Sequence, residues 1–573
     1  MLIDILRVFT RPYRARVAII TALVLGQVTI SLYLPTLNAD IINNGVAVGD
    51  TGYIWKVGGQ MLGLTVLAAA VSILSAYLTA FVSMSFARDL RSAVFRKVLG
   101  FNAKDVDDFG TPSLITRNTN DIQQVQLLVT LGLSMLLMAP LTMIGGVLVA
   151  LRHNAHMSVL IVVAVPAMGA VIGLVLRKAI PQFRIIQTRI DRINAVLREQ
   201  ITGMRVIRAF VRDDFEQRRF AEANQQLMDT SLRINRLFAL AMPMMGLILN
   251  FSTIGVVWFG AHLVSNGEMQ IGDISAFLSY LMQILISVMM ATMAAMLIPR
   301  AAASAERIKA VLDVVPTIED PVSPQAQTRA GAIEFRDVAF HYPGAEEPVL
   351  RGITFSVEPG QFTAIVGGTG SGKTTLINLL ARFHDVTAGA VLVGDVDVRQ
   401  QRRADLYRSL GIVPQRAYLF GGSVRDNVRF GAQGITDDEV WRALEIAQAA
   451  DFVRELDSGL DHEMAQGGLD LSGGQRQRMA IARAVALHPP IYVLDDSFSA
   501  LDAATDARLR ASLQREMAGS TVIVVAQRIS TVLHADRIIV LDEGAIAGIG
   551  THDELLANCS AYQEIVGSQL VAS

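Results

Sequence analysis

A glycine-rich segment near the middle of the chain has the residue types and spacing that bind a phosphate group. The pattern G-x-x-x-x-G-K-T is met at residues 367–374, between an apolar strand-like run at 362–366 and a helix-like run at 375–382. Glycines let backbone N–H groups curl around an anion at a helix N-terminus, a lysine adds positive charge, and a threonine hydroxyl can bind Mg²⁺. The residues expected to contribute are Gly367, Gly368, Thr369, Gly370, Ser371, Gly372, Lys373, Thr374 and Thr375.

A carboxylate after a second strand-like run would complete this site. The run Ile491 to Leu494 is typical of a buried strand, and Asp495 follows it directly. A carboxylate in that position can hold Mg²⁺ through water. Either pattern alone could mislead, and a structural turn is the alternative for the glycine-rich loop. Together the two patterns predict a site for ATP and Mg²⁺.

The composition indicates a membrane protein. The 573 residues are 52% hydrophobic and 18% charged, which is too apolar for an ordinary soluble protein. The formal net charge of -2 gives no sign of a nucleic-acid partner, and we expect none. The single cysteine, Cys559, suits a reducing cytoplasm, and we expect a buried, inert thiol.

Six stretches are long and apolar enough to cross a lipid bilayer. They are Val17 to Leu37, Val57 to Ala87, Ile122 to Leu151, Met157 to Leu176, Leu237 to Gly267 and Ile274 to Pro299. Arginine and lysine concentrate before the first stretch, after the second, and between the fourth and fifth. The positive-inside rule therefore places the termini and both long loops in the cytoplasm. A cleaved signal peptide, the alternative for the first stretch, conflicts with its length.

Polar side chains and long loops add two further expectations. The polar residues in or near the spans should form hydrogen bonds between helices rather than contact a substrate; they are Gln27, Asn250, His262 and Gln283. The loops 88–121 and 177–236 contain few helix breakers, so we expect helices that extend beyond the membrane. They should reverse at Ala103 to Thr111 and at Val211 to Arg219.

The pattern changes after Pro299. Arg300 to Val314 is typical of an amphipathic helix, and 316–331 has the composition of a linker. From Ala332 onward, short β-branched runs alternate with helical runs, which predicts α/β order and a largely parallel sheet. We therefore expect a transmembrane domain with long intracellular helices at 1–315, a linker at 316–331, and a nucleotide-binding domain at 332–573.

A second possible anion site follows the first. Leu471, Ser472, Gly473, Gly474 and Gln475 form the sequence LSGGQ ahead of a helix-like run at 476–486. A serine, two glycines and a helix start can cradle an anion, yet one ATP-binding domain does not need a second cradle for its own phosphates. With this motif, the chain resembles the ATP-binding cassette (ABC) superfamily, and its six spans followed by one cassette resemble a type IV ABC exporter half-transporter.

The resemblance implies the fold class and further site residues. The fold would be an α-helical membrane domain with six transmembrane helices, followed by an α/β ABC-type P-loop nucleotide-binding domain. Tyr342 matches the aromatic that stacks on adenine, and Gln415 matches the glutamine that links Mg²⁺ to the membrane domain, so Thr374, Gln415 and Asp495 would hold the metal, partly through water. The loop that crosses the dimer interface would be Ser499, Ala500, Leu501 and Asp502.

The same resemblance implies a pair of chains. In this family each ATP lies between the phosphate loop of one cassette and the LSGGQ of the other. The cytoplasmic reversals, near Asp105 and Phe215, match the family's coupling helices.

The chain departs from the family pattern at three positions. Asp496 replaces the glutamate that orients the attacking water, and a misplacement of about 1 Å can cost on the order of a hundredfold in rate. Gln527 replaces the switch histidine, and it can donate a hydrogen bond but cannot carry a proton near neutral pH. Gln466 replaces a glutamate in the segment before LSGGQ. Asp496 and Gln527 resemble the degenerate-site subunit of bacterial heterodimeric exporters.

We therefore expect one half of a heterodimeric ATP-driven exporter of small amphipathic, drug-like or lipid-like molecules. It would lie in the bacterial plasma (inner) membrane with cytoplasmic termini and ATP-binding domain, and hydrolysis would occur mainly at the site formed with the partner's Walker motifs. The alternatives are a homodimeric exporter with slow ATPase, a siderophore-type importer with an exporter-like fold, and an ATP-gated regulator or channel. The identity of the substrate does not follow from the sequence.

Overall fold

The computed structural model describes residues 1–432, 434–498 and 501–570, without the side chains of residues 183, 184, 295, 503, 530 and 570. The chain divides into two compact units. One comprises residues 1–100 and 109–314 and is called the membrane unit here; the other comprises residues 101–108 and 315–573 and is called the nucleotide-binding unit.

The membrane unit is built from helices long and apolar enough to cross a membrane. In the described part of the chain these are Leu2–Val46, Thr51–Leu99, Thr111–His153, Ala155–Thr202, Asp213–Ser265 and Ile271–Leu312, called the first to sixth spans. They correspond one to one with the apolar stretches of the sequence, so the prediction of six spans is confirmed.

Several spans contain breaks in the regular α-helix. The α-helical pieces of the first, third and sixth spans are Leu2–Thr10, Arg14–Asp40, Thr111–Thr116, Ile122–Leu131, Leu137–His153, Ile271–Ala295 and Ile298–Leu312. A 3₁₀ turn at Arg11–Tyr13 and π-helical turns at Ile41–Val46, Arg117–Asp121 and Gly132–Leu136 join or extend them. Proline inside a span is tolerated because neighbouring helices can satisfy the backbone groups that it frees.

The first and sixth spans are joined by hydrogen bonds as well as by apolar packing. Tyr280 is fully buried, and its hydroxyl lies 2.7 Å from the Thr36 hydroxyl. The Gln283 amide donates to the Ser31 carbonyl over 3.3 Å, so the expected bond between helices is confirmed there. The expectation is wrong for His262, whose Nδ1 lies 3.0 Å from the Trp258 carbonyl oxygen of its own helix.

The first cytoplasmic reversal lies where the sequence predicts it. A short helix at Ala103–Phe109 occupies the turn, and Gly110 follows with a φ of 75°. The Asn102 side chain accepts from the Asp105 backbone N–H, and the Asp105 carboxylate accepts from that of Asn102. Residues 101–108 belong to the nucleotide-binding unit, in which the Asn102 amide donates to the Thr317 hydroxyl.

The second reversal lies earlier than predicted. The fourth span ends at Thr202, a short helix covers Met204–Ala209, and the fifth span begins at Asp213. Val211 and Arg212 lie in the observed turn, whereas Phe215 is inside a long helix, so the predicted turn at Val211 to Arg219 is right only for its first two residues. The helix breaks at Gly203, where a Cβ would lie 2.8 Å from the Glu199 carbonyl oxygen, so a glycine is favoured there.

The described residues of the nucleotide-binding unit form three sheets. Its strands are β1 Ile333–Phe340, β2 Leu350–Val357, β3 Phe362–Gly367, β4 Ala388–Val393, β5 Val396–Asp397, β6 Leu410–Val413, β7 Gly422–Ser423, β8 Glu463–Met464, β9 Ile491–Asp495, β10 Thr521–Val525, β11 Arg537–Asp542 and β12 Ala545–Gly550. The largest has the order β12-β11-β3-β10-β9-β6 and is parallel except for β12. The α/β prediction is confirmed, while the antiparallel sheet β2-β1-β4-β5 was not predicted.

Helices cover the six-stranded sheet, and the central strands of this sheet are buried among them. The α-helices are Lys373–Leu380, Arg403–Arg408, Val424–Arg429, Asp437–Ile446, Ala450–Glu455, Gly473–Val485, Ala503–Glu516, His552–Asn558 and Ser560–Leu570. Every residue of β9 and of β10 is buried, because side chains on both faces of the sheet contact apolar neighbours. Cys559 is buried and unpaired, as expected.

A buried carboxylate ties the third span to the end of the sixth. Asp121 is 3% exposed and accepts hydrogen bonds from the Ser304 hydroxyl at 2.9 Å and from Arg307 Nε at 2.8 Å. Arg307→Ala should therefore lower the free energy of unfolding by about 1–3 kcal/mol, since a buried charged acceptor loses its donors. Thermal unfolding of the detergent-solubilised protein measures the effect as a lower midpoint.

Lys309→Ala is the matched control on the same helix. It removes an exposed ion pair with Asp313, 3.0 Å long, and should change stability by no more than about 0.5 kcal/mol. Equal unfolding midpoints for the two variants would show that the Asp121 contact contributes no more to stability than the ion pair between Lys309 and Asp313.

Candidate functional site

The phosphate-binding motif forms a tight turn between β3 and the helix Lys373–Leu380. Gly372 has a φ of 98°, a left-handed conformation that favours glycine. A Cβ on Gly367 would lie 2.3 Å from the Leu541 carbonyl oxygen, and one on Gly372 would lie 2.5 Å from Leu350 Cδ2. The loop therefore packs too closely against its surroundings for larger residues at these two positions.

The lysine of the motif folds back over this turn. Lys373 Nζ donates to the carbonyl oxygens of Gly367 at 2.9 Å and Gly368 at 2.7 Å. Burial lowers the pKa of Lys373, while the nearby carboxylates of Asp495 and Asp496 act in the opposite direction. The ammonium group thus lies at the centre of the loop, where an anion would meet it.

The register of the parallel sheet brings the acidic residues to the same edge. Val525 of β10 pairs with Ile365 of β3 on one side and with Asp495 of β9 on the other. The Thr374 hydroxyl donates to Asp495 Oδ2 over 3.2 Å. Asp495 is only 5% exposed, and burial raises its pKa, while the Thr374 hydrogen bond opposes that change.

The two positions that depart from the family pattern contact each other. Gln527 Nε2 donates to Asp496 Oδ2 over 3.1 Å, and Gln415 Nε2 donates to the same oxygen over 3.4 Å. Asp496 has a φ of 46°, and its backbone N–H donates to the Val525 carbonyl over 2.9 Å. The backbone of this residue is therefore held in a left-handed conformation that side chains other than glycine rarely adopt.

These groups surround one cavity of about 500 Å³. The sequence-predicted residues that line it are Gly367, Gly368, Thr369, Gly370, Gly372, Lys373, Thr374, Thr375, Gln415, Asp495, Asp496 and Gln527. Ser371 is buried beneath the loop, and its hydroxyl lies 3.4 Å from Lys373 Nζ.

Sequence reasoning missed the contribution of the helix Ser560–Leu570. Ile565, Ser568 and Gln569 of this helix line the same cavity. Gln569 Nε2 donates to the Gln527 carbonyl over 2.5 Å, and Gln569 Oε1 accepts from the Ile529 backbone N–H over 2.8 Å. No motif marks this helix, because its place beside the cavity results from tertiary packing.

Two predicted groups do not line the cavity of this chain. Tyr342 lies beside the loop, with its hydroxyl 3.1 Å from the Thr375 hydroxyl and its ring edge-on to Phe340 at 4.9 Å. In LSGGQ, the Ser472 and Gln475 side chains form reciprocal capping bonds at the start of Gly473–Val485. The predicted adenine contact of Tyr342 and the predicted partner contact of LSGGQ stay predictions.

The interface loop and the residue before LSGGQ complete the predicted set. Leu501 is buried, and Asp502 accepts from the Thr505 backbone N–H over 2.9 Å at the start of a helix; Ser499 and Ala500 lie outside the described residues. Gln466 Nε2 lies 3.4 Å from the Tyr418 hydroxyl.

The residues present fit a nucleoside triphosphate with Mg²⁺. The turn leaves no room for a Cβ at Gly367 or Gly372, which keeps backbone N–H groups close to a bound anion. Thr374 and Asp495 present a hydroxyl and a carboxylate within 3.2 Å of each other, and oxygen ligands of this kind suit Mg²⁺. Lys373 supplies the positive charge for the phosphates.

Comparisons with known proteins cover the whole chain. Residues 17–289 match the family described as ABC transporter transmembrane region, and residues 350–499 match the family described as ABC transporter. An uncharacterized ABC transporter ATP-binding protein of Mycobacterium tuberculosis (strain CDC 1551 / Oshkosh) is 45% identical, over 100% of this chain and 99% of that protein. An ATP-dependent lipid A-core flippase of Syntrophus aciditrophicus (strain SB) is 31% identical, over 97% of this chain and 92% of its own length.

A solved structure shares the fold. The chain of a bacterial Atm1-family ABC exporter with ATP bound superposes with a TM-score of 0.81 at 24% identity, over 97% of this chain and 98% of that one. Together with the six spans, these matches place the protein in the bacterial inner membrane with a cytoplasmic ATP-binding domain. The chain belongs to the ABC transporter family as a type IV exporter half-transporter, in which ATP hydrolysis is coupled to transport.

Proposed function

We propose that this chain is one half of a heterodimeric exporter of small amphipathic, drug-like or lipid-like molecules. Its own nucleotide site would hold ATP with Mg²⁺ and hydrolyse it slowly, and its LSGGQ would complete the active site of a different partner chain. The observation that carries the proposal is the hydrogen bond between Gln527 Nε2 and Asp496 Oδ2.

The geometry at Asp496 favours slow hydrolysis. The side chain is one methylene shorter than glutamate, and its position is set by the strained backbone that the Val525 carbonyl holds. Its Oδ2 accepts from two amides, Gln415 and Gln527, and neither amide can take up a proton near neutral pH. A carboxylate that is short and held by donors is poorly placed to orient water and remove its proton.

The LSGGQ supports a role outside this chain's own cavity. Ser472 is exposed at the N-terminus of a 13-residue helix, and Gly473 beside it leaves the backbone open. None of the five residues lines the cavity around Lys373. A second cassette could therefore offer its phosphates to this helix start, as a composite site requires.

Export of amphiphiles is supported by one relative. The lipid A-core flippase of Syntrophus aciditrophicus, which shares 31% identity, acts on an amphipathic lipid by its name. Coupling of ATP binding to the spans is supported by the short helix Ala103–Phe109, whose residues 103–108 belong to the nucleotide-binding unit and whose Asp105 is 6% exposed. Movement of this unit on ATP binding would pull on residues 101–108 and so reach the second and third spans, which flank them.

Restoring the family residues should restore hydrolysis at this site. In a complex whose partner has lost its own catalytic carboxylate, the variant Asp496→Glu with Gln527→His should raise ATP turnover by roughly ten- to a hundredfold, because the longer carboxylate reaches the water. Phosphate release from the purified complex measures the rate. Asp496→Asn is the matched control and should leave the low rate unchanged.

A homodimeric exporter would behave differently. The wild-type chain purified alone should bind Mg-ATP but hydrolyse it poorly. Rapid turnover by this chain alone, abolished by Asp496→Ala, would overturn the heterodimer proposal.

The signature serine gives a separate test of the composite site. Ser472→Ala should reduce ATP turnover of the complex at least tenfold, while nucleotide binding to this chain's own cavity should stay unchanged. Thr436→Ala is the control, since Thr436 forms the same kind of capping box at the helix Asp437–Ile446. Each substitution should cost about 1 kcal/mol of helix capping. An equal loss of turnover in both variants would indicate a stability effect and contradict the composite site.

A further inference from the structure

A cavity of about 280 Å³ lies in the membrane unit between the first three spans. Its polar lining comes from Gln27, Ser72, Ser75, Thr79, Thr130 and Ser134. Among the side chains that the structure describes, none that lines it is charged, and its remaining walls are apolar or small. The volume is far above the ~10–15 Å³ that one water molecule needs.

The cavity lies deep in the predicted bilayer. Gln27 is the central residue of the apolar stretch 17–37, and Ser72 is the central residue of 57–87. Ser134 lies close to the middle of 122–151. Polar groups at such depth are expensive unless they are paired or face a cavity, so this cluster indicates a site rather than chance composition.

Four of these side chains, those of Gln27, Ser72, Ser75 and Thr79, make no hydrogen bond within the described residues. Ser75 is 7% exposed and Thr79 is 5% exposed, yet neither hydroxyl has a partner there, and neither does the Gln27 amide. Thr130 and Ser134 differ, because each donates to a carbonyl one turn earlier in its own helix, at 3.1 Å and 2.9 Å. The expected hydrogen bond from Gln27 to another helix is therefore absent, and its amide faces the cavity instead.

The backbone is irregular at the same place. Gly132–Leu136, which contains Ser134, is a π-helical turn inside the third span. Turns of this kind are rare and often lie at functional sites. The opposite wall contains Ala76 and Ala80, whose small side chains leave the space open.

We propose that this cavity binds an uncharged, hydroxyl-bearing group of the transported molecule, such as a sugar or glycerol headgroup. Hydroxyls and an amide both donate and accept hydrogen bonds, which suits a polyol. A charged headgroup would meet no counter-ion in the lining, so nothing would offset the free energy needed to remove its charge from water. This assignment rests on the proposed export function and names the class of substrate for it.

Binding of three labelled probes to the full complex in lipid nanodiscs tests the proposal. The probes are decyl maltoside, free maltose and decyltrimethylammonium. Ser75→Ala with Thr79→Val should raise the dissociation constant of decyl maltoside about tenfold, because the ligand loses two hydrogen bonds. Binding of the ammonium probe should not change. A loss confined to the maltoside assigns the group to an amphiphile, and a loss for maltose as well assigns it to the sugar itself.

Two further variants separate chemistry from folding. Thr79→Ser keeps the hydroxyl and should bind decyl maltoside as the wild type does. Thr29→Val removes a hydroxyl of the first span that donates to the Leu25 carbonyl over 2.8 Å and does not line the cavity, so it should have no effect. If the double variant does not assemble, Thr79→Val compared with Thr79→Ser gives the same contrast.

The proposal is overturned if decyl maltoside binds equally to all variants, or if the ammonium probe loses affinity to the same extent. ATP turnover of the same nanodiscs separates this failure from failure of the proposed function. Normal turnover with unchanged probe binding refutes the cavity assignment alone, whereas the heterodimer proposal is decided by the Asp496 variants.

Discussion

The parallel register of β3, β10 and β9 is the constraint on which the nucleotide site depends. Ile365, Val525 and Asp495 lie side by side across these strands, so the residues that follow them meet at one edge. Close packing on both faces of these strands holds this alignment, because a slip of one residue would place each side chain in a space shaped for its neighbour. The loop of Lys373 follows the first strand, Asp496 the third and Gln527 the second.

The same edge of the sheet explains why the two departures from the family pattern, Asp496 and Gln527, contact each other. Asp496 and Gln527 are 31 residues apart in sequence, and the sheet brings them within hydrogen-bonding distance. Gln569 of the helix Ser560–Leu570 holds the Gln527 carbonyl from the other side. A change at any of these positions would alter the geometry of the others, so their effects on turnover should not be additive.

Polar groups are distributed differently in the membrane unit. Many hydroxyls of the spans bond to their own helices, such as those of Thr29 and Thr130, while Tyr280 and Gln283 join the sixth span to the first. The hydroxyls of Ser75 and Thr79 follow neither pattern, and both line one cavity. Because the bilayer core offers no hydrogen bonds to such groups, a ligand bound in the cavity, as proposed here, would supply their partners.

Local patterns in the sequence were sufficient to predict the spans, the phosphate loop around Lys373 and the strand before Asp495. Each of these features depends on the composition or spacing of residues that are close together in the chain. The interactions that form them act over the same short stretch. The second reversal was predicted too late in the chain because charged residues at 213–219 can begin a helix as readily as they form a turn. Only the tertiary structure decided the contact of Asp496 with Gln527, the place of Gln569, and the cavity beside Thr79. These depend on strand register and helix packing, which join residues far apart in the chain and leave no local periodicity.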